Sequence, residues 1–295
     1  MTYRLILVLL FAIALHDLAE AQDDFSLSTT APAPQPAPAA EGPVVEAGLV
    51  ETFAARFSPH EPIYFLWGPD DPQIKFQFSL KYQIFSAKGS WAEAAPLISG
   101  FHLAYSQTSF WDINSDSSPF FDTSYRPELL YLWERPNTHW LPNQSRFDLQ
   151  LGLQHESNGR SGGTSRSYNI AYVRPVFTFG DTGKSGNIFL TIAPRIWAYV
   201  GSVEDNPDMA EYRGHGDLRI IVGQRDGLQL AAIARVGDDW DRGSIELDAS
   251  YPLHKFTKGN LDLYLFAQYF NGYSESLLEY NQSTSAFRVG IALVR

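Results

Sequence analysis

Hydrophobic and polar residues alternate with a period of two along several stretches of this chain. In QIKFQFSLKYQIF (residues 73–85), one face carries isoleucine, phenylalanine, leucine and tyrosine, while the other carries lysine, glutamine and serine. SIELDASY, NLDLYLFAQYF and residues 287–293 repeat this alternation. Because successive side chains of a β-strand point to opposite faces, the alternation predicts strands with one apolar and one polar face. Clusters typical of turns separate these segments: GDTGKSGN, EDNPDM, GDDWDRG and KFTKGN.

Strands with one apolar face can build either a soluble β-sandwich or a membrane barrel. A sandwich turns the apolar faces inward, whereas a transmembrane barrel turns them outward to lipid and keeps a polar interior. The barrel is favoured because the polar faces carry charges in mid-strand, at Lys75, Glu246 and Arg219. The segments also approach the roughly ten residues that a tilted spanning strand needs.

Aromatic residues and the number of segments agree with the barrel. Aromatic residues make up 14% of the chain, and several lie near predicted strand ends, as in the girdles at membrane interfaces: Trp67, Trp111, Trp133 and Tyr251. One departure is the final LVR, since many such barrels end in an aromatic residue. Counting from EPIYFLWG onward, we predict an all-β fold: an antiparallel transmembrane β-barrel of about 12 strands.

The N-terminal region has the features of a targeting signal followed by a linker. Arg4 precedes the apolar run LILVLLFAIAL, and AEA at residues 19–21 fits a cleavage site. A membrane anchor is the alternative, but the run is short for a span of roughly 20 residues. We predict a signal peptide at residues 1–21, a Pro/Ala-rich linker at 22–49 and the barrel domain at 50–295, in the outer membrane of a Gram-negative bacterium.

Charge and cysteine content exclude several functions. The formal net charge of -11 makes the chain a poor candidate for binding nucleic-acid phosphates. The sequence has no cysteine, which removes disulfides, thiolate zinc sites and cysteine nucleophiles.

The stretch LQLGLQHESN (residues 149–158) places candidate catalytic residues on an apolar face. Three leucines share their parity with His155 and Ser157, so both polar residues look outward where the strand leaves the hydrocarbon. After the polar hairpin NGRSGGTS, Asn169 shares the parity of Ala171 and Val173. An antiparallel return therefore brings Asn169 beside His155.

These residue types fit nucleophilic catalysis on an ester. Ser157 would attack an acyl carbonyl, His155 would accept and return the proton, and Asn169 would hold the imidazole in the correct tautomer. On the outer face of a barrel, the available ester is a membrane lipid. The alternative is that polar residues at a strand end and in a hairpin have no catalytic role.

A longer match extends this interpretation. HESNGRSGGTSRSYNIAYVRP resembles the signature of the outer-membrane phospholipase A family, H-x-S-N-G-R-S-x-x-T-S-R-S-W-N. YSQTSFWDINSDSSPFFDTSYRPEL, GSVEDNPDMAEYRG and YSESLLEYNQ resemble other segments of that family. The resemblance covers nearly all of residues 60–295. It implies calcium-dependent hydrolysis of phospholipid acyl esters by a triad of Ser157, His155 and Asn169, with the Gly159 backbone N–H in the oxyanion hole.

The resemblance also implies a calcium site and a homodimer. The calcium ligands would be the Arg160 carbonyl, Ser165 and, from the partner subunit, Ser117. Gly162 replaces an acidic residue common in the family, which puts a second, weaker calcium site in doubt.

The resemblance places the dimer glutamine of the family at Gln107. The parity of GFHLAYSQTSFW points this amide toward lipid, where an unsatisfied amide is costly and pairing with its copy would satisfy it. The alternative is that Gln107 is hydrated near the interface.

Two other functions remain open. One is a porin-like or structural barrel without catalytic activity, although roughly twelve strands should leave the lumen largely filled by side chains. The other is a catalytically inactive relative, since Gly162 and a shortened loop at residues 112–116 leave room for weak activity.

Overall fold

The described part of the chain forms one antiparallel sheet. The structure is a computed structural model that describes residues 53–135, 145–180 and 186–295. The strands are β1 (Phe57–Pro59), β2 (Ile63–Trp67), β3 (Ile74–Gln83), β4 (Phe101–Trp111), β5 (Phe120–Arg135), β6 (Arg146–Ser157), β7 (Ser167–Phe179), β8 (Ile188–Tyr199), β9 (Gly216–Gln224), β10 (Gln229–Val236), β11 (Gly243–Pro252), β12 (Tyr264–Tyr273) and β13 (Ser283–Val294). The predicted signal peptide and linker lie outside the described residues, as do residues 181–185 of GDTGKSGN.

The sheet closes on itself to form a barrel. β13 pairs with β2, β2 with β3 and β3 with β4, and each later strand pairs with the next along the chain. β1 and β2 pair with opposite halves of β3, so together they act as one strand that is broken at residues 60–62. The barrel therefore has twelve strand positions, and the predicted all-β antiparallel barrel of about 12 strands is confirmed.

The two faces of the wall differ as the alternation predicts. On β6, Leu153 is 58% exposed on the outer surface, while the next residue, Gln154, is buried. The charged residues predicted for the interior lie there: Lys75 Nζ is 3.1 Å from Glu246 Oε2. Outward apolar side chains such as Leu153 have no lumenal partners, and lipid solvates them.

Ion pairs occupy the lumen. Glu61, in the break between β1 and β2, lies 2.8 Å from Arg219 and 3.3 Å from Arg174. Arg195 donates from Nε to Asp217 Oδ2 at 2.8 Å. A cavity of about 180 Å³ remains among these and other polar side chains. Long side chains thus fill much of the interior, as expected for a barrel of this size.

Short helices lie in the connections between strands. They are α1 (Ser90–Ala94) and α2 (Met209–Arg213), with single 3-10 turns at Pro96–Gly100, Gly162–Thr164 and Leu253–Lys255. The turn predicted from EDNPDM runs into α2, whose buried Met209 packs with Tyr168 and Tyr280 in a cluster under the barrel mouth. None of the helices within the described ranges is long and apolar enough to cross a membrane.

The candidate site lies at one end of the barrel. β4, β6 and β8 run in the same direction, so the loops that follow them, at residues 112–119, 158–166 and 200–215, lie at the same end. Trp67 and Trp111 also lie at this end, while Trp133 and Tyr251 lie near the opposite end. These four aromatic residues thus lie near strand ends, two at each end of the barrel.

Candidate active site

His155 and Ser157 lie on the outer wall at the end of β6. Both side chains are partly exposed, whereas the alternating residues Gln154, Glu156 and Asn158 are buried in the interior. The leucine stripe of β6 continues directly into these two residues, so the outward orientation predicted from parity is observed.

The imidazole of His155 is hydrogen-bonded to Asn169. The two residues face each other in the register between β6 and β7, and His155 Nδ1 lies 2.9 Å from Asn169 Oδ1. An amide oxygen only accepts hydrogen bonds, so Nδ1 carries the proton and Nε2 keeps its lone pair. This is the tautomer that a general base needs.

Ser157 follows His155 on the same face, roughly 6.8 Å further along the strand. Its register partners are Tyr125 on β5 and Ser167 on β7. Within the described residues, Ser157 and His155 form no direct hydrogen bond, which is common for a catalytic pair without substrate. The structure thus brings the three predicted triad residues to one outward site.

Gly159 begins the 158–166 loop in a conformation that favours glycine. Its φ is +65°, and a Cβ atom there would lie 3.1 Å from Cε2 of Tyr125. The backbone next to Ser157 can therefore lie close to the Tyr125 ring only because residue 159 has no side chain.

Asn158 points into the barrel and forms hydrogen bonds with the backbone of this loop. The sequence analysis did not identify this residue. Its Nδ2 donates to the Thr164 carbonyl at 2.9 Å, and its Oδ1 accepts the backbone N–H groups of Arg160 at 3.3 Å and Arg166 at 3.0 Å. The inward parity of Asn158, next to an outward serine, was the available signal.

Oxygen atoms converge where the loop enters β7. Ser165 Oγ donates to Asp205 Oδ2 at 2.8 Å, and Ser167 Oγ donates to the same oxygen at 3.3 Å. The guanidinium of Arg166 already binds the carbonyls of Gly163 and Ser165 at 3.0 and 2.7 Å. The site therefore contains hydroxyl, carboxylate and carbonyl oxygens. These are the kinds of ligand that calcium prefers.

Asp205 is a second residue that sequence analysis did not single out. Its signal was GSVEDNPDMAEYRG, one of the segments with a family resemblance. Across the described part of the chain, no group of three or more His, Cys, Asp or Glu side chains could hold a metal ion. The predicted ligands are hydroxyls and a carbonyl, which such a group would not include.

The remaining predicted calcium residues occupy loops at this end. Arg160 is exposed in the 158–166 loop, and its guanidinium donates to the Phe121 carbonyl. Ser117 is exposed in the 112–119 loop with φ at 67°. In the same loop, a hydrogen bond from Ser115 lowers the pKa of the Asp112 carboxyl. Gly162 also has a positive φ, and nothing lies within 4 Å of a Cβ built there.

Gln107 points outward on β4, as predicted, but it has partners in its own chain. Its Oε1 accepts from the Tyr105 hydroxyl at 2.9 Å, and its Nε2 donates to Ser109 Oγ at 3.2 Å. Tyr125 separates Gln107 from Ser157 in the strand register. The amide is therefore less costly in lipid than the sequence alone suggests.

The sequence of the barrel matches a known family. Residues 54–293 fit the sequence profile described as Phospholipase A1. The chain belongs to the phospholipase A1 family. The membership predicted from the sequence is therefore confirmed.

Curated relatives agree with this assignment. Phospholipase A1 of Escherichia coli (strain K12) is 31% identical over 223 residues, which cover 75% of this chain and 69% of that protein. Phospholipase A1 of Klebsiella pneumoniae is 31% identical over 228 residues, which cover 75% of this chain and 70% of the relative.

Solved structures share the fold. Outer membrane phospholipase A from Escherichia coli superimposes with a TM-score of 0.64 at 28% identity, over 80% of this chain and 98% of that one. The Salmonella typhi outer membrane phospholipase dimer with bound calcium gives a TM-score of 0.64 at 27% identity, over 80% of this chain and 91% of that one. An Escherichia coli variant with an asparagine-to-alanine change in the active site gives a TM-score of 0.63 at 28% identity, also over 80% of this chain and 91% of that one. The chain is an outer-membrane barrel, as predicted.

Proposed function

We propose that this protein hydrolyses the acyl ester bonds of phospholipids and lysophospholipids at the outer wall of the barrel. The observation that carries the proposal is the hydrogen bond between His155 and Asn169, with Ser157 next along the same lipid-facing side of β6. The curated relatives are phospholipases by name, which supports the same reaction class.

The proposed chemistry uses the three side chains in the roles of a serine hydrolase. Ser157 Oγ attacks the acyl carbonyl carbon while His155 Nε2 accepts the hydroxyl proton. Asn169 Oδ1 accepts from Nδ1–H and keeps the ring oriented. Collapse of the tetrahedral adduct breaks the ester bond, and His155 gives its proton to the departing glycerol oxygen. Water then attacks the carbonyl of the acyl-serine while His155 accepts its proton; the bond to Ser157 Oγ breaks, His155 returns the proton to that oxygen, and the fatty acid is released.

The backbone after the nucleophile would stabilise the negative charge on the carbonyl oxygen. The Gly159 N–H is one donor, and its positive φ sets the direction of the peptide groups in this turn. Fixed donors aimed at a developing oxyanion are usually a large part of catalysis.

Calcium fits the oxygen cluster at the start of β7. We propose that Ser165, the carbonyl of Arg160 and Ser117 of the partner subunit hold it, and we add Asp205 because Ser165 and Ser167 both donate to its carboxylate. Bound calcium would supply positive charge near the oxyanion. The Salmonella typhi relative is a dimer with bound calcium, which supports both the cofactor and the assembly.

We propose that the active species is a homodimer with Gln107 at its interface. Gln107 lies in one outward row with Tyr125 and Ser157, so a partner seated on it would cover the wall next to the nucleophile. Ser117 is exposed at the same end of the barrel as Ser165, which is compatible with its proposed role as a ligand supplied across the interface. Dimerisation would then complete the calcium site and activate the enzyme.

The decisive experiment measures fatty-acid release from phospholipid–detergent micelles by purified, refolded protein. The assay is run with calcium, with excess chelator and with Ser157→Ala, and folding is checked by the heat-dependent shift in gel mobility. Calcium-dependent release that Ser157→Ala abolishes is the expected result. Absence of release from folded, cross-linkable dimers would overturn the proposal and favour a barrel without catalytic activity, which planar-bilayer conductance would then characterise.

A further inference from the structure

Glu156 lies between the two catalytic residues of β6 but faces the opposite side of the wall. Its side chain points into the barrel and is 3% exposed. A carboxylate in such a place must have partners, because an unpaired buried charge is strongly unfavourable. Those partners connect Glu156 to the strands that carry the candidate catalytic residues.

Three groups from three different elements share this carboxylate. Ser124 on β5 donates to Oε1 at 2.5 Å, and the Tyr168 hydroxyl on β7 donates to Oε2. Arg213 on α2 donates from Nη2 to Oε2 at 3.2 Å. The Arg213 guanidinium also stacks on the Tyr168 ring, 5.2 Å from its centroid. One anion thus connects three neighbouring strands and a helix.

Each strand partner is adjacent in sequence to a residue of the outer site. Ser124 precedes Tyr125, which faces Ser157 across the ladder. Tyr168 precedes Asn169, which holds His155. The carboxylate therefore fixes, from behind, the backbone segments that present the nucleophile, the base and the orienting amide.

The backbone ladder between β5 and β6 is interrupted at this level, whereas the ladder between β6 and β7 is continuous there. Between β5 and β6, Tyr125 pairs with Ser157 and Glu128 with Gln154, but no pairing is formed at the two positions between them. One of these is Pro127, which has no N–H to donate. The bond between Glu156 and Ser124 crosses the strands from one of these unpaired positions, and the bond from Gln154 to Glu128 at 3.1 Å crosses them at the next paired position.

The stretch that carries Arg213 also holds β7. Asn206 Oδ1 accepts the backbone N–H of Ser167 at 2.9 Å, and the adjacent Asp205 accepts from Ser165 and Ser167. The 200–215 loop is therefore fastened to β7 at one point and, through Arg213, to β6 at another. A shift of β6 relative to β7 would break one of these two attachments.

From this geometry we infer that Glu156 and Arg213 are positioning residues for hydrolysis: their ion pair holds His155, Ser157 and Asn169 in register from inside the barrel. The inference rests on the proposed function. Neither residue touches substrate, and both act through the backbone of β6 and β7.

A double-mutant cycle tests the inference: Glu156→Gln, Arg213→Met and the two together. Glu156→Gln leaves Arg213 without its carboxylate, and Arg213→Met removes the ion-pair partner of Glu156, whereas the double variant restores the net charge and keeps a side chain that can bond Ser124 and Tyr168. We expect kcat of each single variant to fall by about tenfold to a hundredfold, as for misplaced catalytic groups. KM should stay unchanged, and the double variant should recover most of the loss.

The readout specific to positioning is the rate at which a sulfonyl fluoride labels Ser157, normalised to folded barrel. Both single variants should label more slowly by a similar factor, and the double variant faster than either. Ser124→Ala removes one hydrogen bond to Glu156 without changing the charge. It is the alternative test if the Glu156 and Arg213 variants do not refold. It should give a smaller loss in the same direction.

The control is the ion pair of Glu275 and Arg288, which is joined by a 2.5 Å contact and has both side chains buried, with Lys75 also 3.6 Å from Glu275. β13, which carries Arg288, lies across the barrel from β6 in the strand order. Glu275→Gln and Arg288→Met should reduce the folded yield but leave labelling per folded barrel unchanged. Wild-type labelling rates in the Glu156 and Arg213 variants would overturn the inference while the proposed function stands. Failure of the wild-type protein to be labelled or to release fatty acid would overturn both.

Discussion

His155 and Asn169 face each other across the ladder between β6 and β7, and 2.9 Å separates Nδ1 from Oδ1 on the lipid-facing wall. The contact is a hydrogen bond to an uncharged amide. It can orient the imidazole, but Asn169 contributes no negative charge to stabilise the imidazolium of the proposed mechanism. The amide should therefore matter for catalysis less than the nucleophile.

Asn169→Ala should lower kcat by about fivefold, because a hydrogen bond to an uncharged amide contributes about 1 kcal/mol and that difference is close to a factor of five in rate. Initial rates of fatty-acid release with saturating calcium measure the effect. Asn271→Ala is the control, since Asn271 is also an exposed outward asparagine near the site end of its strand. Equal rates for Asn169→Ala and wild-type protein would remove Asn169 from the triad.

Ser157→Ala should abolish turnover, with a loss of at least about 10⁴-fold, since alanine has no hydroxyl with which to form the proposed acyl intermediate. The barrel should still fold, because the Ser157 side chain makes no hydrogen bond in the described structure. Heat-dependent gel mobility confirms folding, and radiolabelled phospholipid measures residual hydrolysis. Turnover within a factor of a hundred of wild type would show that another nucleophile is at work.

Gly159 and Gly162 offer a matched pair for the oxyanion turn. Both have φ at +65°, but a Cβ at residue 159 would lie 3.1 Å from the Tyr125 ring, whereas a Cβ at residue 162 would meet nothing within 4 Å. Alanine at either position carries the conformational cost of about 1 to 2 kcal/mol. Only Gly159→Ala should displace the N–H beside Ser157, so it should lower kcat, at unchanged KM, well below that of Gly162→Ala. Equal kcat values in the two variants would rule out a catalytic role for this turn.

The periodicity of the sequence predicted much of this fold. Alternation over residues 73–85 predicted which side of β3 faces lipid, because parity depends only on neighbouring positions. The same argument placed His155, Ser157 and Asn169 outside. The start of β12 was less predictable: the alternation begins at Leu261, but the strand begins at Tyr264.

Contacts between distant segments were not predictable in the same way. α2 is five residues long, too short to show a helical period. Asp205 and Arg213 reach the site only because the 200–215 loop folds back onto β6 and β7. Nothing in the local pattern around either residue specifies that return.

Asp205→Asn should weaken calcium activation, because it removes the carboxylate charge that Ser165 and Ser167 surround. We expect the calcium concentration for half-maximal activity to rise about tenfold or more, with activity restored by excess calcium. Glu204→Gln makes the same change of charge at the adjacent exposed residue and should leave the titration unchanged. A parallel shift in both variants would indicate a general electrostatic effect and exclude Asp205 as a ligand.

Gln107→Ala should weaken the proposed dimer. In one subunit, Tyr105 and Ser109 already use the amide oxygen and one N–H, so a partner subunit can engage only the remaining hydrogen-bonding capacity. A hydrogen bond between membrane segments contributes about 0.6 to 2 kcal/mol, which corresponds to a dissociation constant raised about 3- to 30-fold. Cross-linking in detergent with calcium, over a range of protein concentrations, measures this shift.

Leu230→Ala controls for the truncation of a lipid-facing side chain. Leu230 is 45% exposed on β10, six positions from β4 around the barrel, so its truncation should leave the dimer intact. Because dimerisation is proposed to complete the site, the specific activity of Gln107→Ala should fall at low protein concentration and recover at high concentration. A cross-linking pattern identical to that of wild type would exclude Gln107 from the interface, and an activity loss independent of concentration would separate catalysis from dimerisation.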